Sequence, residues 1–300
     1  MMHGIEQPVA GSTTTAIPPA ATTTLWLAAA VSALGGLLFG YDWVVIGGAK
    51  PFYEAWFQLV SPAQQAWAVS CALVGCLVGA IGSGWTSDRL GRRRGLLIAA
   101  VIFAVSSVGT GWAGSFDGFI AWRMIGGVAI GLAAGLSPVY IAEIAPAAIR
   151  GRMVCLNQIA IVLGILGAQI VNLLIAEPVP AGATAAQLAA SWNGATGWRW
   201  MFAAAAVPAV AFLLGCLLIP ESPRWLAGRG RNDDALAALH KLGGADYARG
   251  AMHDIRIALG ASRGRRMQQV LAEPRFARVL VIGVVLAVLQ QWSTPSWAPE

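Results

Sequence analysis

Three ionisable side chains interrupt long apolar stretches of this sequence: Asp42, Arg123 and Glu143. Charge inside a bilayer is costly, so such residues are functional candidates by default. A carboxylate alone in an apolar medium takes up a proton, whereas a neighbouring guanidinium holds it ionised. Asp42 and Arg123 could therefore form a proton switch, in which protonation breaks the pair and ionisation restores it. The plainer alternative is a static ion pair, although a buried pair is a poor source of stability. A second constellation is GWTSDRLGRRR (Gly84–Arg94). Its glycines permit a tight turn, Asp88 can cap the start of a helix, and arginines such as Arg92 can clamp carboxylates such as Glu143. The plainer alternative is charge that merely sets topology. His3, His240 and His253 stand in polar stretches, with no Ser/His/Asp set, metal cluster or glycine-rich phosphate loop. Neither a cofactor nor a metal is expected, and enzyme chemistry is not. Cys71, Cys76, Cys155 and Cys216 lie in apolar runs without a CxxC pair, which argues against a disulfide framework or a zinc site. They read as small packing residues.

The elements that must position these residues are membrane helices. The chain has 300 residues, of which 57% are hydrophobic and 11% charged, and its mean hydropathy is +0.65. Ordinary soluble domains carry roughly 25% charge, so a soluble fold is excluded. Disorder is excluded for most of the chain by the same apolar content. The expected class is an all-α polytopic membrane protein, lying in the lipid bilayer. The net charge of +6 is not a nucleic-acid signal, because the basic residues sit in short stretches between apolar runs.

Apolar runs of about 20 residues cross a hydrocarbon core as helix. The predicted spans are Leu25–Gly48, Gln64–Trp85, Gly95–Gly114, Phe116–Ile141, Met153–Ala176 and Trp198–Ile219, with a seventh from near Arg275 to about Trp292. Residues 1–24 contain no Lys or Arg, lack the basic start of a secretory signal, and read as a disordered tail. Seventeen of the 20 Lys and Arg follow the second, fourth and sixth spans. By the positive-inside rule those exits, and the amino terminus, are cytoplasmic. The domain plan is a tail (1–24), a six-helix bundle (25–220), a cytoplasmic helical linker (221–274) and an incomplete seventh helix (275–300). Within the linker, Asn232–Gly243 and Asp246–Gly260 show helical apolar spacing. Small-residue ladders (Gly36/Gly40, Gly75/Gly79, Gly127/Gly131/Gly135) would let helices approach closely.

The chain resembles the sugar porter family of the major facilitator superfamily. The resemblance rests on GGLLFGYD (Gly35–Asp42), GWTSDRLGRRR (Gly84–Arg94), RMIGGVAIG (Arg123–Gly131), SPVYIAEIAPAAIRGR (Ser137–Arg152), NQIAI (Asn157–Ile161), GWRWMF (Gly197–Phe202), PESPRWL (Pro220–Leu226) and the Gln290–Gln291 pair. It covers residues 25 to 291. It implies a six-helix bundle of the major facilitator type, forming half of a two-bundle carrier in the cytoplasmic (inner) membrane, with a sugar held between the bundles. It implies that Asp42 and Arg123 couple protons, as in the proton-driven members, and that Phe39, Gln290 and Gln291 contact the sugar. Asp88, Arg92, Glu143, Arg152, Glu221 and Arg224 would form an inner charge network that closes the cytoplasmic side.

The resemblance fails in three places. Ile165 stands where the family commonly has a sugar-binding Gln; Gln169, one turn further on, could compensate if the ligand sits deeper. After Gln291 the sequence lacks the family's Asn and is about one turn shorter. The second bundle is absent, so transport would need a missing half or a partner that supplies it. The expected function is proton–sugar symport, most simply of a monosaccharide. The alternatives are a non-transporting remnant or interaction module, or a proton-independent facilitator.

Overall fold

The computed structural model describes residues 19–180, 182–262, 278, 281–286 and 288–289. Every regular element among them is helical, and six helical segments are long and apolar enough to cross a membrane. The first five are α1 (Pro19–Trp56), α2 (Pro62–Leu90), α3 (Arg92–Gly111), α4 (Phe116–Ile144) and α5 (Arg150–Ile175). A short α6 (Ala185–Ala190) precedes the sixth span, which joins a π-helical turn (Asn193–Gly197), α7 (Trp198–Ala203) and α8 (Ala206–Leu218). Then come α9 (Pro223–Gly228) and α10 (Asn232–Ser262). The chain is thus an all-α, multi-pass membrane protein. It divides into two units, Met1–Met252 and His253–Glu300. In the second unit the end of α10 and residues 278, 281–286 and 288–289 are helical. Most of the expected tail, Gln290, Gln291 and the remainder of the seventh span lie outside the described residues.

The helices outrun the apolar windows that predicted them. α1 begins at Pro19 rather than Leu25, so the last residues of the expected tail are helical, and it continues past Gly48 to Trp56. Hydropathy reads only the hydrocarbon core, whereas a helix can continue through the interfacial layer. A proline costs little at a helix start, where its missing N–H would have no partner anyway. At the far end of α1, Lys50 and Glu54 pair one turn apart at 3.9 Å and Tyr53 is fully buried.

The stretch Gly84–Arg94 is helical nearly throughout. α2 runs to Leu90 and α3 starts at Arg92, leaving the turn to Gly91 alone, at φ +96°. That left-handed conformation favours glycine. Asp88 is therefore part of the last turn of α2 and does not cap α3. Glu221, distant in sequence, does so: its Oε1 accepts from the backbone N–H groups of Arg92 and Arg93, each at 2.9 Å.

α4 is central, packed on α1, α2, α3 and α5; α1 packs chiefly on α5, and α3 on α4 and the sixth span. The α2–α4 contact is reciprocal. A Cβ at Gly75 or Gly79 would collide with the carbonyls of Met124 or Val128, and one at Gly127 or Gly131 with those of Ala72 or Cys76. These ladders bring the two backbones together, as small residues do in lipid.

α3 and the sixth span run antiparallel, and two arginines clip their opposite ends. Arg93, at the start of α3, donates to Cys216 O (2.8 Å) and Leu217 O (2.7 Å) at the end of α8. Arg199, on α7, donates to Gly111 O at the end of α3 and to Ala113 O just beyond it, both at 2.9 Å. Each satisfies carbonyls that the helix terminus leaves without intrahelical partners and sets a cation at the negative end of its dipole. After the sixth span in the chain, α10 carries a non-helical Gly244 (φ 80°), between the two helices that its apolar spacing predicts.

Candidate functional site

α1 and α4 are the most buried of the six spans, and α2 and α5 the least. The two most buried helices carry the ion pair. Arg123 of α4 is 4% exposed, and its Nη1 donates to Oδ1 of Asp42 on α1. The guanidinium also lies 5.5 Å from the centre of the Phe202 ring, within cation–π reach. Arg123 Nε has no hydrogen-bond partner among the described residues.

The pair is not sealed. Asp42 and Arg123 line a cavity of about 310 Å³ with Phe39, Trp43, Ile46 and Lys50 of α1, and with Val69, Leu73 and Cys76 of α2. Phe39 and Trp43 stack at 6.4 Å between ring centres. Mostly apolar and aromatic walls with a few fixed polar groups are the ordinary makeup of a small-molecule site. Here a carboxylate held by one cation forms part of the cavity wall. Trp43 and Lys50 line the cavity but are not among the site residues expected from the sequence. Their helical spacing from Phe39, with Ile46 between, was the available signal. Gln169 is exposed on α5 and does not line this cavity.

At the end of the bundle where α2 meets α3, a charge network assembles from four segments. Arg92 Nη2 donates to Glu143 Oε1 at 2.9 Å and Arg92 Nη1 to Ser87 O at 3.0 Å. Ser222 Oγ donates to the other Glu143 oxygen at 2.5 Å. Glu221 Oε1 accepts from the backbone of Ser222, as well as from Arg92 and Arg93. Tyr140 OH donates to Pro220 O at 2.8 Å. The network thus ties α2, α3 and α4 to the stretch entering α9. Ser222 was missed in sequence because a serine between Glu221 and Pro223 carries no chemical signal of its own.

Other expected members stand apart. The Asp88 carboxylate is 83% exposed and 4.0 Å from Arg92, a pairing of little energetic weight in solvent. Its backbone carbonyl instead accepts from Trp225 Nε1 at 3.0 Å and from Arg229. Arg152 and Arg224 are exposed, and neither is ion-paired with the network. Among the described residues no group of three or more His, Cys, Asp or Glu could hold a metal ion.

Comparison with known proteins bears on the same region. The family described as "Sugar (and other) transporter" matches residues 28–295. The chain is 38% identical to the D-xylose-proton symporter of Escherichia coli (strain K12), over 87% of this chain and 56% of that one. It is 38% identical to the arabinose-proton symporter of Bacillus subtilis (strain 168), over 88% and 55%. Among solved structures it is similar to the proton:xylose symporter XylE bound to 6-bromo-6-deoxy-D-glucose, with TM-score 0.79, 38% identity, and coverage of 90% of this chain and 59% of that one. The chain therefore spans little more than half the length of these relatives.

Proposed function

The chain belongs to the sugar transporter family, a family of carriers rather than enzymes, and from that premise we propose that it forms the proton-coupling half of a sugar carrier. The observation that carries this reading is the Asp42–Arg123 pair lining an internal cavity. With Asp42 ionised, Arg123 holds it and ties α1 to α4. Protonation removes that attraction and changes the relative stability of the two facing states. A ligand or proton can shift such an equilibrium only by interacting differently with the two states. Phe39 and Trp43 offer aromatic surface to a sugar ring, and the substrate class is a sugar, most simply a monosaccharide.

Alternating access works by one bundle rocking against another around the site. The reading therefore includes a second bundle, in the same polypeptide or in a partner, seated against the least buried spans, α2 and α5. The membrane is the cytoplasmic one. Its cytoplasmic face holds the network of Arg92, Glu143, Glu221 and Ser222, which acts as the gate on that side, and the basic excess supports this orientation.

The test is uptake of a panel of labelled pentoses and hexoses into proteoliposomes that contain the chain together with a second bundle. Wild type should accumulate at least one sugar uphill under an imposed inward proton gradient. Asp42→Asn should still exchange that sugar down its gradient and should lose accumulation, because no proton is then bound and released per cycle. Equal accumulation by both proteins would refute the switch and leave Asp42 as a structural partner. Gradient-independent uptake by wild type would mark a facilitator, and absence of uptake a non-transporting role.

A further inference from the structure

We propose that a second cavity, between the start of α3, α9 and α10, binds a phosphate-bearing anion, either a lipid headgroup or free phosphate. This cavity measures about 270 Å³ and shares no residue with the one that holds Asp42. Four cations line it: Arg93, Arg94, Arg231 and Lys241. Three have no carboxylate partner among the described residues. Arg93 directs its guanidinium donors to the neutral carbonyls of Cys216 and Leu217. Arg94 and Lys241 are exposed and enter no ion pair among the described residues. Arg231 is matched, by Asp234 at 2.8 Å.

The remaining lining carboxylate is already engaged. Glu221 Oε1 accepts from three backbone N–H groups at 2.9 Å, and its side chain caps α3. The cavity therefore keeps an excess of positive charge. Cations converging on a concave surface attract anions, and guanidinium groups match phosphate oxygens geometrically. A neutral sugar would gain nothing from that excess. The position adds a second reason: the third span begins at these arginines, and basic residues beside a span are drawn to anionic headgroups. Bound there, a phosphate would link α10 to the start of α3, next to the Glu221 cap.

The test uses the purified chain in a neutral detergent, with thermal unfolding followed by tryptophan fluorescence at constant ionic strength. The ligands are sodium phosphate, short-chain phosphatidylglycerol and short-chain phosphatidylcholine. Phosphatidylglycerol should raise the unfolding midpoint saturably, and phosphatidylcholine should not. A similar rise with sodium phosphate would show that the phosphate group suffices; its absence would assign the site to lipid. The double variant Arg94→Gln/Lys241→Gln should unfold like wild type without ligand and bind at least tenfold more weakly. The exchange Arg94→Lys/Lys241→Arg should restore binding, which separates lost charge from lost folding. Arg249→Gln/Arg256→Gln removes the same charge from elsewhere on α10 and should leave the response intact. No saturable rise, or equal loss in the two charge-removing variants, would overturn the site.

Discussion

At the scale of single residues, Asp42 and Arg123 depend on each other. Removing one member of a buried pair leaves an uncompensated charge, which typically costs about 3–5 kcal/mol. Arg123→Leu should therefore lower the stability of the purified chain by about that amount in denaturant titrations. Adding Asp42→Asn should recover part of the loss, because no charge then remains without a partner. A double variant no more stable than Arg123→Leu would mean that the two side chains are not energetically coupled. The sequence showed the types of both residues, since charges in apolar runs stand out. Their pairing needed the fold: 81 positions separate them, and only the packing of α1 on α4 brings them together.

At the scale of elements, two devices hold the bundle. The Arg93 and Arg199 clips make charged hydrogen bonds, each worth about 1.5–3 kcal/mol. Arg199→Gln and Arg93→Gln should each destabilise by roughly that much, and their effects should add, because they act at opposite ends of the α3–sixth-span pair. A double variant no less stable than either single one would contradict two independent clips. The glycine ladders are the second device. Gly127→Val should cost at least about 1–3 kcal/mol through overpacking, seen as a lowered unfolding midpoint. Gly82→Ala on α2, where a Cβ would meet nothing within 4 Å, should be neutral or stabilising. Equal behaviour of the two would remove the close-approach explanation. The ladder spacing was legible in the sequence, whereas which glycines face a backbone was not.

At the scale of the whole molecule, a charge network occupies one end of the bundle. It runs through Arg92, Glu143, Glu221 and Ser222, and the resemblance had placed Asp88, Arg152 and Arg224 in it as well. Solvent exposure separates them: Glu143 has both oxygens engaged inside the network, while the Asp88 carboxylate faces outward. In a carrier with both bundles, Glu143→Gln should slow exchange between facing states, measured as sugar counterflow, several-fold more than Asp88→Asn. A larger effect from Asp88→Asn would move the gate to that residue. By itself the sequence determined the all-helical class, the six spans found among the described residues and the residues whose charge is out of place in lipid. Those follow from local composition, because hydropathy over about 20 residues and the energetic penalty of intramembrane charge need no tertiary information. The tertiary structure alone decided that Glu221, rather than Asp88, caps α3, that Trp43 and Lys50 join Phe39 at the cavity, and that Gln169 stands outside it. Each of these depends on which face of one helix meets which neighbour, and that is set by packing between residues far apart in the chain.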